Sequence, residues 1–360
     1  MKRKRRIILI TVFLSAILFS CTKTGFVNNT SLKESINQSA LNLNNAVSTI
    51  ASTKAYGILT VNDATAKSAT ADATFKVYIT LDSIKGIYDY HPLTKNKWGI
   101  PFRDSFGMPI TRFFTKTADD SKMIVNMPLS KVQRPRFLWN WVKSDSTLVN
   151  NFQIAVSDYH NDYNSFWDFD YLLKSEISIE SVVAGELNIN YVKSPSLGTT
   201  YASEYAFADG YTADYKYQSG DTTNSSFAIS KAGAVLYEEQ LITVKNDTAR
   251  FGRERQYILT IGNVQITRKS GTKAVSVSLN GVVQPNAVVA IVDQAADPEA
   301  SVCKKRDVQI TFEDGTVTTV STLIGNSIDN IKTLFDSLHS VYFAAEVVDL
   351  IAYDIYYQKH

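Results

Sequence analysis

Residues 158–171 are the segment of the chain in which side chains capable of chemistry are most crowded. Four carboxylates occur there, and they belong to Asp158, Asp162, Asp168 and Asp170. Together with Asn164 they could bind Ca²⁺, which takes about six to eight oxygen ligands. The segment lacks the glycine and the terminal glutamate of an EF-hand loop, so we assign no metal ion and no cofactor to it.

Aromatic side chains in and near this segment allow a second interpretation. Tyr163, Phe166 and Trp167, with Trp139 and Trp141 from upstream, could form a platform on which sugar rings stack. A third interpretation is structural, namely a hairpin whose aromatic side chains face the core while its carboxylates face water. The sequence leaves these three interpretations open.

Most signatures of enzymes are missing from the chain. It has no Gly-x-Ser-x-Gly elbow, no glycine-rich phosphate loop, no His-Glu-x-x-His and no Cys-x-x-Cys. Ser301 and Lys304 have Ser-x-x-Lys spacing but lack the companion motifs. We therefore predict no catalytic residue. An unrecognised hydrolase stays as an alternative, because the paired carboxylates of glycosidases have no fixed spacing in sequence.

The first element that positions these side chains is a helix. Ser31 and Glu34 have the spacing of a capping box, in which each side chain satisfies a backbone N–H at the helix start. An apolar stripe follows at helical spacing, and its members are Leu32, Ile36, Leu43, Val47 and Ile50. The pattern predicts a helix with one buried face.

From Tyr56 onward the apolar period changes to two. Strands are predicted at residues 58–61 and 75–81, and a turn at residues 161–164. Further turns are predicted at Asp209-Gly210, Gly262-Asn263, Asn280-Gly281 and Asp314-Gly315. Because hairpin turns join antiparallel neighbours, we predict a mainly β (α+β) fold with a large antiparallel meandering sheet, which can curve into a half-barrel.

An antiparallel sheet with one apolar face needs a cover on that face. One strand shows the expected alternation, with Tyr211, Ala213, Tyr215 and Tyr217 against Thr212, Asp214 and Lys216. The predicted covers are the N-terminal helix and one or two C-terminal helices. The first of these begins near Ser327, and its apolar stripe contains Ile328, Ile331, Leu334, Phe335 and Leu338. Residues 347–357 fit a helix or a strand.

Residues 1–20 have the pattern of a secretory signal peptide. A basic block at residues 2–6 precedes an apolar run at residues 7–19, which is shorter than the roughly 20 apolar residues that span a bilayer. The ending Leu18-Phe19-Ser20-Cys21 resembles the lipobox of bacterial lipoproteins. That resemblance implies cleavage before Cys21, lipid on this residue and anchorage in a membrane of the cell envelope. Thr22 in place of Asp resembles the sorting signal for the outer membrane.

The lipoprotein interpretation divides the chain into a signal peptide at residues 1–20, a lipid-anchored tether at residues 21–30 and a β-rich body at residues 31–360. A sub-boundary near residues 285–300 is an alternative to a single body. Losing the five basic residues of the signal takes the net charge from +2 to −3. A chain of that charge without a long basic run is not expected to bind nucleic acid. Cys303 is left without a partner for an intramolecular disulfide.

Two further resemblances bear on modification and function. Asp-Ser/Thr tripeptides at Ser83, Ser146, Thr222 and Thr248 resemble the O-glycosylation acceptors of some Gram-negative envelope proteins. The order of elements is similar to that of half-barrel periplasmic lipoprotein carriers, whose sheet encloses a cavity for acyl chains. This second resemblance implies a hydrophobic or lipidic ligand. The alternative is a structural or adhesive module that binds a glycan or a partner protein.

Overall fold

Alternating apolar and polar residues fold here into a run of antiparallel strands. The computed structural model describes residues 31–60, 76–91, 113–129, 148–249, 252–270, 275–293, 306–325, 327–339 and 343–359. The described residues from Leu32 onward belong to one compact unit. Cys21, Trp139, Trp141, Ser146, Ser301, Cys303 and Lys304 lie outside the described residues.

The main sheet contains fifteen strands. Strands β1 to β5 are Val77–Thr80, Gly86–Tyr90, Phe114–Ala118, Met123–Met127 and Phe152–Ser165. Strands β6 to β10 are Asp168–Ile179, Val182–Ser194, Gly198–Phe207, Tyr211–Gln218 and Thr222–Lys231. Strands β11 to β15 are Ala234–Lys245, Arg253–Ile261, Val264–Lys269, Val275–Leu279 and Val282–Val283. A second sheet contains β16 (Val288–Asp293), β17 (Arg306–Thr311) and β18 (Val317–Thr319).

Six helices occur among the described residues. They are α1 (Leu32–Ala51), α2 (Lys54–Leu59), α3 (Leu81–Ile84), α4 (Val320–Ile324), α5 (Ser327–His339) and α6 (Phe343–Lys359). None of these helices combines the length and the apolar character needed to cross a membrane.

The strands of the main sheet follow one another in nearly the order of the chain. From β15 down to β4 each strand pairs with its sequence neighbour, and β2 and β3 complete the path while β1 pairs with β5. Every pairing is antiparallel except that of β2 with β4. The sheet is open, and within the described residues β15 and β3 are its two ends. The prediction of a mainly β fold with a large antiparallel meander is confirmed.

Helices cover one face of this sheet, which we call the inner face. Helix α1 packs against β11, β12 and β13, and α5 packs against β8 and β9. The five predicted apolar residues of α1 are all buried, as are Ile331, Leu334 and Leu338 of α5. Ile328 was expected on the same stripe but is 37% exposed, because it lies in the first turn of α5. The predicted cover of the sheet is confirmed.

The C-terminal segment that periodicity left open is helix α6. Val347, Val348, Ile351 and Ala352 are fully buried, and this spacing places them on one side of a helix. Helix α6 packs against α3 and β1. The far end of the sheet is therefore covered by the last helix of the chain.

The hairpin of β12 and β13 shows why one turn glycine is needed. Gly262 has a φ of 59°, a conformation that a side chain disfavours. A Cβ on Gly262 would lie 2.4 Å from the Oγ of Ser39, which belongs to α1. The predicted Gly262-Asn263 turn is therefore also a place where the first helix contacts the sheet closely.

Two local predictions are wrong, and the strand predicted at residues 75–81 is confirmed as β1 but is shorter than expected. Residues 58–61 were expected in a strand, but α2 extends to Leu59 because Thr53 caps it by accepting a hydrogen bond from the backbone N–H of Tyr56 at 3.1 Å. The strand expected at residues 75–81 ends at Thr80, where α3 begins with a capping box. The turn expected at residues 161–164 lies inside β5, and the chain reverses at Phe166 and Trp167 instead.

One polar residue expected on the wet face is buried. Asp214 is 8% exposed, because the side chain of Lys216 lies beside it with Nζ 2.7 Å from the Asp214 carboxylate. The other residues of that strand follow the predicted alternation, since Tyr211, Ala213 and Tyr215 are buried on the inner face.

Candidate binding face

Strand register brings tyrosines from several strands into one row on the inner face. Residues that face each other across antiparallel strands have Cβ atoms about 4.5–5.5 Å apart and share a face. Tyr171 pairs with Tyr191, Tyr191 with Tyr201, and Tyr201 with Tyr217. The row continues through Ser225 and Leu241 to Tyr257 on β12.

Two further rings lie beside this row at its β5 end. Tyr163 pairs with Phe169, and their ring centroids are 6.3 Å apart. The rings of Phe169 and Tyr191 meet edge to face at 4.4 Å, and those of Tyr191 and Tyr201 at 5.4 Å. Such contacts between rings are favourable beyond the area that they bury. We call the set Tyr163, Phe169, Tyr171, Tyr191, Tyr201 and Tyr217 the aromatic strip.

The helical cover of the inner face ends along the aromatic strip. A neighbouring row of inner-face residues lies two positions along each strand from the tyrosine row and is buried throughout. Its members are Tyr159, Leu173, Ile189, Ser203, Tyr215 and Phe227. The six side chains of the strip are only half-buried. The strip is therefore an aromatic surface that solvent reaches from one side.

Hydrogen bonds from the helices fix the rings of the strip. The hydroxyls of Tyr171 and Tyr159 donate to the same oxygen, Oδ1 of Asp349 on α6, at 3.1 and 3.0 Å. The hydroxyl of Tyr201 donates to the carbonyl of Leu338 at the end of α5, at 3.2 Å. Burial, and then the neighbouring Asp349 carboxylate, hold the pKa of Tyr159 and of Tyr171 well above the ordinary value. These phenols are therefore neutral donors at physiological pH.

Helix α6 forms a wall beside the strip. The Nδ2 of Asn161 donates to the hydroxyl of Tyr353 at 3.2 Å, which ties this helix to β5. The ring of Tyr353 stacks on that of Tyr357 with centroids 6.2 Å apart, and Tyr357 is 55% exposed. Burial raises the pKa of Tyr353 to about 12, with Asp349 adding to the effect.

The tip of the β5–β6 hairpin extends the aromatic surface into solvent. Phe166 and Trp167 are 52% and 65% exposed, and their rings meet edge to face at 5.0 Å. Lys193 reaches them from β7, with its Nζ 3.7 Å from the Phe166 centroid and 4.4 Å from that of Trp167. Cation–π attraction of this kind holds the two rings near the strip.

The chain matches no family model, no curated protein and no solved structure.

The hairpin sorts its aromatic and acidic side chains onto opposite faces. Tyr163 and Phe169 lie on the inner face, whereas Asp162 and Asp170 pair across the two strands on the outer face. Oδ1 of Asp170 accepts a hydrogen bond from Nε2 of His160 at 2.9 Å, and Nζ of Lys174 lies 3.6 Å from Oδ2 of Asp158. No group of three or more His, Cys, Asp or Glu side chains suited to a metal ion occurs among the described residues.

The structure brings together three of the five aromatic residues that the sequence singled out. Tyr163 belongs to the strip, and Phe166 and Trp167 lie at the adjacent hairpin tip. The sequence pattern did not identify Tyr191 and Tyr201 as site residues. Their signal was present in the alternation along each strand, but only the register between strands shows that they are neighbours.

A depression lies on the sheet between β7 and β10. Its volume is about 250 Å³, and its lining includes Asn190, Thr200, Ala202, Lys216, Gln218, Asn224 and Ser226, together with Tyr201 and Tyr217 of the aromatic strip. Its polar side chains alternate along the strands with the residues of the strip, so the depression lies mainly on the outer face. The depression offers amides, hydroxyls and one ammonium group, but its cation is already paired with Asp214.

The proposed acceptors for glycosylation differ in their surroundings. Thr222 is exposed at the start of β10. The hydroxyl of Ser83 donates to the Thr80 carbonyl at 2.7 Å within the capping box of α3. The hydroxyl of Thr248 donates to Oδ1 of Asn246 at 2.7 Å. All three residues are exposed.

Proposed function

We propose that the mature protein is an envelope lipoprotein, anchored through lipid on Cys21, whose aromatic strip binds a carbohydrate chain. The observation that carries the proposal is the row of half-buried tyrosines along the edge of the helical cover. It continues into the exposed rings of Phe166 and Trp167.

Carbohydrate suits this surface because a sugar ring has an apolar face of C–H groups and a rim of hydroxyls. The apolar face stacks on aromatic rings, and the hydroxyls pair with phenols and amides. Neighbouring strands are about 4.8 Å apart, so the rings follow one another at a spacing comparable to the repeat of a linear glycan. The strip can therefore meet several sugar units in succession.

An acyl chain enclosed between sheet and helices is less well supported by the packing. Ile36 and Leu43 of α1, Leu173 of β6 and Leu334 of α5 all have 0% exposure. Interiors packed in this way leave little space for a long apolar ligand. The open aromatic surface favours the glycan over the lipid.

The test is binding of glycans by the full chain purified in detergent, with arrayed oligosaccharides as the ligands. We expect one group of linear glycans to bind and Trp167→Ala to reduce that signal. Tyr78→Ala is the matched control, because Tyr78 is equally exposed at 65% but pairs with Asp162 on the outer face. If no arrayed glycan binds, and a lipid co-purifies with the wild type but not with Trp167→Ala, the glycan proposal is wrong and a lipidic ligand replaces it.

The anchor is tested separately. Cys21→Ser removes the thiol on which the lipid would be carried, so the variant should leave the membrane fraction and appear in the soluble envelope fraction. The wild-type N-terminal peptide should carry the mass of the attached acyl chains. An unmodified Cys21 in that peptide would refute the anchor and leave the glycan site untouched.

A further inference from the structure

Lys193 gives the aromatic strip one positive end. It pairs with Phe169 on one side and Thr199 on the other, so its side chain belongs to the inner face. Its Nζ lies over the rings of Phe166 and Trp167. Among the residues that the structure describes, its ammonium forms no ion pair, whereas the cations on the outer face pair with Asp158 and Asp214.

The carboxylates of the β5–β6 hairpin lie on the face opposite to this charge, and the carboxylate nearest to the strip on the inner face, that of Asp349, accepts hydrogen bonds from Tyr159 and Tyr171. Asp162, Asp168 and Asp170 belong to the same hairpin, but Asp162 and Asp170 lie on the outer face. Asp168 pairs with Ser165 beside the turn, one position from Phe169 and so on the other face from it. Lys193 is therefore the cation that a ligand lying on the strip would meet.

The other end of the tyrosine row carries charges of both signs, because Arg268, which pairs with Tyr257, is exposed on the inner face. Glu239 is exposed on β11 and pairs with Phe227 and Leu259, which are inner-face residues. The hydroxyl of Tyr237 donates to its carboxylate. Burial and this carboxylate raise the pKa of Tyr237 and of Tyr257 above the ordinary value. Glu239 and Arg268 therefore both lie at this end of the row, whereas Lys193 lies beside the aromatic strip on β7.

We infer that the strip selects an acidic carbohydrate chain, whose carboxylate or sulfate group pairs with the ammonium of Lys193. The inference rests on the proposed glycan-binding function and specifies its ligand class. An ion pair at a half-buried surface site strengthens binding by about ten-fold over the neutral ligand.

The experiment compares three probes by calorimetry with the full chain in detergent. They are an oligouronate, its carboxyl-reduced neutral counterpart, and a sulfated form of that neutral chain. The oligouronate should bind about ten-fold more tightly than the neutral chain, and the difference should shrink as salt rises. Comparable tightening by sulfate identifies charge as the recognised feature; tightening by carboxylate alone identifies the uronate as the ligand.

Variants assign the preference to Lys193. Lys193→Gln should bring the ratio of acidic-chain to neutral-chain affinity close to one, while Lys193→Arg, which keeps a cation over the two rings, should retain the preference. Lys231→Gln is the matched control, because Lys231 also lies over a ring, with Nζ 4.3 Å from the Tyr211 centroid, but far from the strip. Equal binding of acidic and neutral chains by the wild type, or a preference that survives Lys193→Gln, overturns the inference. Failure of every chain to bind overturns the proposed function as well.

Discussion

The hydroxyl of Tyr171 donates to Oδ1 of Asp349 at 3.1 Å and so joins the β5–β6 hairpin to the C-terminal helix. The same oxygen accepts from Tyr159 at 3.0 Å. One carboxylate thus holds a ring of the candidate binding surface and a fully covered ring behind it. Asp349 therefore contributes to the stability of the fold and also positions a ring of the candidate binding surface.

Removing that carboxylate should destabilise the protein. Hydrogen bonds to a charged group contribute about 1.5–3 kcal/mol each, so we expect Asp349→Ala to lower the free energy of unfolding by about 3 kcal/mol. Asp349→Asn keeps an acceptor oxygen and should cost less. Urea denaturation followed by fluorescence measures both. Asp329→Asn, at an exposed position in the first turn of α5, is the control and should change stability by no more than about 1 kcal/mol. Equal losses at positions 349 and 329 would contradict the role of the carboxylate.

Replacing Tyr191 should separate ring stacking from hydrogen bonding in the ligand site. Tyr191→Ala removes a ring that contacts both Phe169 and Tyr201, and we expect glycan affinity to fall about ten-fold. Tyr191→Phe keeps the ring and should retain most of the affinity. Calorimetry with a glycan that the wild type binds gives both numbers. If Phe and Ala were equally damaging, the phenol rather than the ring would carry recognition.

Alkaline pH should weaken the fold through its buried phenols. Burial raises the pKa of Tyr88, Tyr90 and Tyr353 to about 12. A phenol with a folded pKa above the unfolded value of about 10 holds its proton more tightly when folded. Its stabilisation is complete below about pH 10 and is lost as the pH rises toward about 12.

Ultraviolet titration of tyrosinate checks this window. Part of the absorbance change of the nineteen tyrosines should appear only above pH 10 or together with unfolding. The free energy of unfolding, measured in urea at several pH values, should fall across the same range. A single titration of all tyrosines near pH 10 in the folded protein would be incompatible with the burial of these rings.

The turn between β6 and β7 offers a way to stabilise the protein. Glu180 and Ser181 have φ angles of 53° and 65°, although neither is glycine. Ser181→Gly relieves the steric cost of this conformation, partly offset by the greater freedom of glycine in the unfolded chain, for a net gain of about 0.5 kcal/mol. Thermal unfolding should show the increase. Gly210→Ser makes the reverse change at a φ of 82° and should destabilise the protein.

Features that depend on neighbouring residues in sequence were predictable. The stripe from Leu32 to Ile50 is set by helical spacing, and the turn at Gly262-Asn263 by the backbone freedom of its residues. The secondary structure of residues 58–61 was not predictable, because a short apolar run fits a helix or a strand. The N-cap at Thr53 favours the helix.

The candidate binding surface could be predicted only in part for a different reason. Phe166 and Trp167 stand out by composition, but the tyrosine row depends on how β6 to β9 are aligned. A shift of one residue in any pairing would turn a ring to the other face. Register shifts do occur, between Tyr163 and Ser165 for example, and nothing in the local sequence fixes their position.

The ends of the main sheet affect how copies of the protein can coexist at high density. Strand β15 contains two residues, and β3 at the opposite end carries Lys116 among its exposed positions. Short and charged edges are poor templates for further strand pairing. These two ends of the sheet therefore disfavour edge-to-edge pairing between copies of the protein.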